Sequence, residues 1–323
     1  MAVKESRGNP DRAAPSRNAV PLLLRLGLTI LLLALILRTV SLREIVAALR
    51  GASPWPLACG AAFGVVFSAL KVFRWGWLLR RLGAPCTAAE SLYSYLGGMA
   101  VGLLTPGRVG EMARAMYLRT GDRAFVAGAA FLDKVFDVTV VLIVGAAGCA
   151  MQGLAIPAAA LALAALALYL LIFLPARVLD RLTGLVPIAA ARRVASSLSQ
   201  PLARAGGGTV LLGALQAALT FAAVMLQFHL LLSAFGPAPA GATLFVLPLV
   251  VLSNLIPLTI SGVGVREWAS VILFRQYGVG GPVAVNVALL IFVFNSLLPG
   301  LAGSLLSPRL RRRGVEGDGG ASR

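Results

Sequence analysis

Six apolar runs of at least 20 residues dominate the sequence. They lie at residues 21–40, 54–73, 124–149, 154–174, 209–235 and 283–306. About 20 apolar residues in a helix cross the hydrocarbon core of a bilayer, and lipid-exposed backbone must satisfy its own hydrogen bonds there. Only 13% of the residues are charged, which excludes a soluble globular protein. The runs therefore predict an all-α polytopic membrane protein with six full spans.

The basic residues predict how these spans are oriented. The formal net charge is +17, and the arginines fall largely in the tails and between the apolar runs, as the positive-inside rule expects. Membrane lipids, and not nucleic acid, are the expected partners of this charge. We expect 1–20 and 307–323 to be disordered cytoplasmic tails, with 175–208 on the same side and 21–40 a retained span. The loop 41–53 is the exception, because its two arginines would lie outside.

Two further segments, 91–120 and 243–278, fit this orientation only as hairpins. The first must enter and leave the membrane on the cytoplasmic side, and the second on the outer side. Their apolar arms are shorter than a full span, and their returning arms are too polar to face lipid. We therefore predict two re-entrant helical hairpins. Eight full spans are the competing layout.

The order of these elements predicts an inverted repeat within a single domain, 21–306. Each half, 21–149 and 154–306, contains two spans, a hairpin and a further span, and the second half starts from the opposite face. Transporters often use this plan, with broken helices that meet near the middle of the membrane.

Each hairpin carries a glycine-rich motif with one arginine and one glutamate. The two motifs comprise Thr105, Pro106, Gly107, Arg108, Gly110 and Glu111, and Ser261, Gly262, Gly264, Arg266 and Glu267. Glycine permits tight turns, and a helix that starts at such a tip presents free N–H groups and a positive dipole end. With the arginines, these features predict a cradle for a phosphate or another anion. Alternatively, each Arg–Glu set only neutralises and pins its hairpin.

Two other clusters place charge inside apolar runs. Asp133 and Asp137 share a helix face beside Lys134, which predicts either a polar path or a snorkelling cluster at the interface. Near the end of the second run, Lys71 and Arg74 alternate with Trp75 and Trp77. That pattern is typical of an interfacial anchor, although these cations could also bind lipid phosphate. Arg114 lies beyond Arg108 and is assigned to the same cluster.

No enzymatic machinery is visible in the sequence. It contains no nucleophile with a base and an orienting group, no nucleotide-binding loop and no cluster with metal-ligand spacing. The single histidine, His229, lies in an apolar run and is expected to make a packing hydrogen bond. We therefore expect a protein that is not an enzyme and needs no metal or cofactor.

The sequence resembles the transmembrane region of lysylphosphatidylglycerol synthases, a flippase-like family that also occurs as stand-alone proteins. The matching pieces are Arg74-Trp75, the segment 104–111, Asp133-Lys134 with Asp137, and the segment 260–267. The likeness covers roughly 20–306. It implies movement of a phospholipid or a lipid-linked headgroup between leaflets. The sequence stops at Arg323 without a soluble aminoacyl-transferase domain, so transfer of lysine from tRNA is not predicted.

Three hypotheses for function follow. The first is a lipid translocase in the cell (inner) membrane, whose substrate is an anionic or aminoacylated phospholipid or a polyprenyl-phosphate-linked headgroup. The second is a secondary transporter of a small polar solute, driven by protons through Glu111, Glu267 or the aspartate pair. The third is a non-transporting membrane partner of a lipid-modifying enzyme. The sequence leaves the lipid, the direction, the energy source and the oligomeric state open, a homo-oligomer included.

Overall fold

The computed structural model describes residues 27, 30–32, 34–38, 40–105, 108–118, 122–173, 199–255, 259 and 261–306. The regular secondary structure of these residues is entirely helical, as predicted. Both predicted tails, most of the loop 175–208 and much of the first predicted span lie outside the described residues. The same holds for Pro106, Gly107 and Ile260 in the two motifs.

Residues 30–32 and 34–38 are helical, and ten further α-helices and three segments of other helix types are described. The helices are α1 (Leu42–Arg50), α2 (Pro54–Arg81), α3 (Ala88–Leu104), α4 (Arg123–Met151), α5 (Ala155–Phe173), α6 (Ser199–Arg204), α7 (Gly207–Ser233), α8 (Ala240–Ser253), α9 (Val265–Phe274) and α10 (Gly281–Phe292). A 3-10 helix, Val109–Tyr117, separates α3 from α4, and a second one, Arg275–Tyr277, follows α9. A π turn, Val293–Leu297, extends α10 into a continuous helix that ends at residue 306.

Among the described residues, four helices are long and apolar enough to cross a membrane. They are α2, α4, α7 and the extended helix Gly281–Leu306, and each corresponds to one of the predicted spans. The predicted span 154–174 corresponds to α5, an apolar helix with 19 described residues. Helix α2 continues to Arg81, well beyond the predicted end at residue 73, because its buried cations have partners on other helices.

The predicted loop 41–53 is instead largely helical. Ser41 and Glu44 form a reciprocal capping box: the Glu44 N–H donates to the Ser41 hydroxyl at 3.2 Å, and the Ser41 N–H donates to the Glu44 carboxylate at 3.1 Å. Ile45 faces the protein and is buried, whereas Leu42 and Leu49 are exposed. The prediction of a loop was therefore wrong, and α1 is an amphipathic helix beside the spans.

Close glycine contacts bring the long helices together. Gly60 of α2 packs against Leu231 of α7, and a Cβ atom on Gly64 would lie 2.8 Å from Cβ of Phe294. Small residues four apart permit this approach of helix backbones in membranes. His229 of α7 lies 3.2 Å from the Thr243 hydroxyl of α8, which is the packing hydrogen bond that the sequence predicts.

The contacts define two ends of the helix bundle. At one end the Arg204 guanidinium donates to the Leu82 carbonyl at 3.4 Å and lies 4.5 Å from the Phe125 ring. At the other end the Gln152 amide donates to the Tyr277 hydroxyl at 2.8 Å, and that hydroxyl donates to the Gly241 carbonyl at 3.1 Å. Because α4 contains both Phe125 and Gln152, it runs from the first end to the second.

Two hairpins open at these opposite ends. Helix α3 and the 3-10 helix 109–117 pack against each other between the end of α2 and the start of α4, at the first end. Helices α8 and α9 also pack against each other, and the contacts of Gly241 and Tyr277 place their outer termini at the second end.

Candidate functional site

The first glycine-rich motif forms a tight turn followed by a 3-10 helix. Arg108 adopts a left-handed backbone conformation, with φ 57° and ψ 28°, so the helical return starts at Val109. The Gly110 N–H donates to the Thr105 hydroxyl at 2.8 Å across this turn. The side chains of Arg108 and Glu111 are thereby held close to the tip of α3.

Glycines on α3, which the sequence analysis did not single out, let the returning arm lie directly against the helix. A Cβ atom on Gly98 would lie 2.9 Å from the Glu111 carbonyl oxygen and would also meet the Arg114 side chain. A Cβ atom on Gly102 would lie 3.0 Å from Cγ of Glu111. The four-residue spacing of these glycines was the available signal, because it places both on one helix face.

Asp133 binds two arginines from different elements. Its carboxylate lies 2.7 Å from Nε of Arg74 on α2 and 3.0 Å from Nη1 of Arg114 on the 3-10 helix. Asp133 is only 2% exposed, so the snorkelling alternative is wrong for this residue. The ion pairs instead join α2 and α4 to the first hairpin.

Asp137, one turn further along α4, extends this network. Its carboxylate accepts hydrogen bonds from Lys71 and, at 2.7 Å, from Nη2 of Arg74. The four-residue spacing of the two aspartates thus lets them share Arg74, as their predicted common face implies. The sequence predicts either an interfacial anchor or a phosphate-binding cation at Lys71. Its three-residue spacing from Arg74 is the signal that both cations lie on the same helix face.

The interfacial-anchor interpretation of the α2 cluster is wrong for Arg74 and Trp75. Both side chains are almost fully buried, and the Trp75 indole N–H donates to the Ser94 hydroxyl of α3 at 3.1 Å. The Arg114 guanidinium lies 5.3 Å from the Trp75 ring and 4.9 Å from the Tyr95 ring, within cation–π range. These aromatic rings pack around the network.

Glu111 connects the tip of the first hairpin to α4. One carboxylate oxygen lies 2.8 Å from Nε of Arg108, and the other lies 3.3 Å from Nζ of Lys134 and 3.9 Å from Arg114. The ion pairs therefore form one continuous network of alternating charge. In order, it runs through Lys71, Asp137, Arg74, Asp133, Arg114 and Glu111, and ends at Arg108 and Lys134.

The second motif is neutralised within itself. The Glu267 carboxylate caps α9 by accepting the Gly264 N–H at 2.7 Å, and it pairs with the neighbouring Arg266, whose Nε lies 3.0 Å away. Ser261, Gly262 and Gly264 all have positive φ angles, so the tip is tightly turned. Glu267 thus neutralises Arg266 and fixes the hairpin, as one interpretation of the motif predicts. The Arg266 guanidinium also lies 4.4 Å from the Phe292 ring.

Both motifs contribute to one cavity of about 170 Å³. Its polar and charged lining comprises Lys71, Tyr95, Arg108, Glu111, Arg114, Lys134, Asp137, Thr220, Asn254, Arg266, Asn295 and Ser296. Its apolar lining comprises Phe67, Met99, Val138, Val141, Phe221, Val224, Val251, Leu255, Ile291 and Phe292. Of the residues predicted to bind substrate, Arg74, Asp133 and Glu267 do not line this cavity; they hold residues that do.

Asn254 and Asn295 were not identified from the sequence. Each has a buried side-chain oxygen that finds no hydrogen-bond partner within the described part of the chain. Asn254 follows α8 at the second hairpin, and Asn295 lies in the π turn, where irregular helix often marks a functional site. Two uncharged amides in apolar runs give little signal before the fold is known.

Comparison with known proteins places the chain in a family. No curated protein matches it significantly. The family model described as "Lysylphosphatidylglycerol synthase TM region" matches residues 22–303, which include every described helix from α1 to α10, the whole ion-pair network and both glycine-rich motifs. The chain therefore belongs to the family of the lysylphosphatidylglycerol synthase transmembrane region, as its motifs predict.

Proposed function

We propose that this protein is an integral membrane lipid translocase, which moves a phospholipid or a lipid-linked headgroup between the leaflets of the cell membrane. The observation that carries the proposal is the lining of the cavity, which combines charged groups with apolar side chains. A lipid has the same two chemistries. Family membership supports a role in lipid handling but does not specify the transport step.

The charged residues of the lining offer the donors that a phosphate group requires. Arg108 and Lys134 meet at Glu111, and the Arg266 side chain reaches the same cavity from the second hairpin. Guanidinium and ammonium groups bind phosphate oxygens with charge-assisted hydrogen bonds. Phe221, Val224 and their apolar neighbours suit the start of the acyl chains, which would remain on the hydrocarbon side while the headgroup crosses.

The lengths of the hairpin arms support the re-entrant layout over eight full spans. At 1.5 Å per residue, the 17 residues of α3 rise about 26 Å. The nine residues of its 3-10 return rise about 18 Å at 2.0 Å each. The arms of the second hairpin, α8 and α9, contain only 14 and 10 residues. All are shorter than a hydrocarbon core of about 30 Å.

The two hairpins open at opposite ends of the bundle, which supports the inverted-repeat plan. Alternating access would then move the repeats around a central cavity that both hairpin tips line. The first end carries Arg80, Arg81, Arg123 and Arg204, so we assign it to the cytoplasm. On this basis we propose that both chain termini lie on the cytoplasmic side of the membrane.

Reconstitution into vesicles tests the translocase directly. Phosphatidylcholine vesicles would contain a trace of phosphatidylglycerol, phosphatidylethanolamine or phosphatidic acid, each labelled on one acyl chain. A membrane-impermeant reductant then bleaches the outer leaflet. With protein present, we expect bleaching to continue into the label of the inner leaflet for at least one headgroup. No acceleration over protein-free vesicles for any lipid would overturn the proposal.

A matched pair of variants connects this activity to the cavity. Arg108→Gln removes a cavity cation and should slow translocation about tenfold or more, since a charge-assisted hydrogen bond is lost. Arg275→Gln removes an exposed cation that does not line the cavity and should leave the rate unchanged. Proton-driven uptake of a soluble solute, abolished by Glu267→Gln, would instead favour the solute transporter.

A further inference from the structure

The ion-pair network beside the cavity is not electrically balanced. Among the described residues it contains five cations, namely Lys71, Arg74, Arg108, Arg114 and Lys134. These five face only three carboxylates, those of Glu111, Asp133 and Asp137. With every group ionised, the network carries a net charge of +2, although each cation shares a carboxylate. Arg266 and Glu267 of the second hairpin pair with each other and add no net charge.

The surplus charge lies at the ends of the network. Arg74 pairs with both Asp133 and Asp137, and Asp133 also pairs with Arg114. Every carboxylate therefore serves at least two cations. Arg108 and Lys134 form the more accessible end, because their side chains are 23% and 36% exposed, whereas those of Arg74 and Arg114 are buried.

Unbalanced charge of this size is costly in an apolar helix bundle. A charge removed from water without a counter-charge is strongly destabilising, and ionisable groups at membrane depth normally pair. A phosphodiester head with one negative charge would leave one cation unmatched. A head with a net positive charge would add to the excess. A phosphate group with two negative charges would balance it.

We propose that the cargo of this cavity is a lipid whose head is a dianionic phosphate, a phosphate monoester or a diphosphate, and that heads with a net positive charge are disfavoured. This inference rests on the proposed translocase function and specifies its substrate class. Arg108 and Lys134 already hold the two oxygens of one carboxylate, and the same pair is placed to bind the oxygens of the phosphate.

Binding to lipids that differ only in headgroup charge tests this inference. The probes are phosphatidic acid, phosphatidylglycerol and lysyl-phosphatidylglycerol with identical labelled acyl chains, presented to the purified protein in phosphatidylcholine nanodiscs. The second proton of a phosphate monoester leaves with a pKa of about 6. At pH about 7.5 we expect phosphatidic acid to bind about tenfold more tightly than phosphatidylglycerol, an advantage lost near pH 5. Lysyl-phosphatidylglycerol should bind most weakly.

Charge variants of the network give shifts of opposite sign. Lys134→Gln should lower the advantage of phosphatidic acid about tenfold, whereas Lys134→Arg should retain it. Glu111→Gln raises the surplus and should strengthen binding of phosphatidic acid. Because the Lys134 side chain is partly exposed, we expect the Lys134 variants to fold, and they test the inference even if the Glu111 variant does not fold. Arg275→Gln is the matched control, and its headgroup preference should equal that of the unaltered protein.

Three binding results would overturn the inference: equal affinity for phosphatidic acid and phosphatidylglycerol, tightest binding of lysyl-phosphatidylglycerol, or a headgroup preference unchanged in Lys134→Gln. If inorganic phosphate competed for the site as effectively as phosphatidic acid does, the claim that the bound phosphate belongs to a lipid would be overturned. Vesicle translocation of all headgroups at one rate would overturn this inference and leave the translocase standing. Tight binding of phosphatidic acid without any translocation would overturn the translocase instead.

Discussion

Arg74 illustrates what one buried side chain contributes to this membrane protein. Its guanidinium pairs with Asp133 and Asp137 at 2.7 Å each, and its side chain is 1% exposed. A buried ion pair is weak evidence for net stabilisation, but removal of one partner leaves charges that have no counter-ion. The role of Arg74 is therefore to permit two carboxylates on α4 within the bundle.

We expect Arg74→Ala to destabilise the protein by about 3–5 kcal/mol, because both aspartates lose a partner. Thermal unfolding in detergent measures this effect, with the loss of monodisperse protein as the readout. The control is Arg81→Ala, which removes an exposed arginine of the same helix and should change stability by less than about 0.5 kcal/mol. Equal melting of the two variants would contradict the role given to Arg74.

The charged residues were easier to predict than their surroundings. The spacing of Asp133 and Asp137 on one helix face follows from the helix period alone. The environment of Trp75 did not follow, because a tryptophan beside lysine and arginine looks the same whether the helix ends at the membrane surface or continues into a bundle. Only the buried contact with Ser94 separates these cases.

At the scale of elements, the first hairpin depends on backbone contact between its arms. Gly97 and Gly98 of α3 face the 3-10 helix, and a Cβ atom on Gly97 would lie 2.6 Å from the Tyr117 ring. The sequence predicted the hairpin from the polarity and the length of its arms. It did not predict the 3-10 geometry of the return, because that geometry follows from the left-handed Arg108 and from packing against α3.

Gly98→Ala should therefore force the arms of the hairpin apart. The added methyl group meets the Glu111 carbonyl, and such overpacking costs about 1–3 kcal/mol. We expect a lower melting temperature and slower lipid translocation. Gly208→Ala in α7 is the matched control, because nothing lies within 4 Å of a Cβ atom there. If both alanine variants behaved alike, close contact between the arms would not matter.

At the scale of the whole molecule, charge distribution and hydropathy determine the layout. Apolar runs predict the long helices, and arginine-rich ends predict which face is cytoplasmic. The meeting of both hairpin tips at one cavity depends on long-range packing, so no local pattern could establish it. The capping box at Ser41 is the opposite case, because this local pattern is sufficient to predict the start of α1 although 41–53 was expected to be a loop.

Cysteine labelling tests this layout in proteins with a single cysteine: Cys59 and Cys149 are replaced to test Cys86, and Cys86 is replaced as well to test each introduced cysteine. A membrane-impermeant reagent should reach Cys86 and Arg123→Cys from the cytoplasmic side only. It should reach Leu154→Cys and Gln276→Cys from the outer side only. These four positions follow from the assignment of the two ends of the bundle.

The tip of the first hairpin distinguishes the two layouts. Leu104→Cys lies at the end of α3, where the native side chain is 80% exposed in the protein. In a re-entrant hairpin this position stays within the membrane, so the reagent should not reach it from the outer side. Labelling of Leu104→Cys from the outer side would instead support eight full spans.

The π turn of the last helix has a consequence for how insertions and deletions act on this chain. Before the turn, Gly281 packs near Val271 of the second hairpin; after it, Gly300 and Gly303 pack against Leu103 and Leu96 of the first. Each residue rotates an α-helix by about 100°. Loss of a single residue at 293–297 would turn the downstream glycines away from α3. We expect the length of this turn to be held constant wherever the helix must face both hairpins.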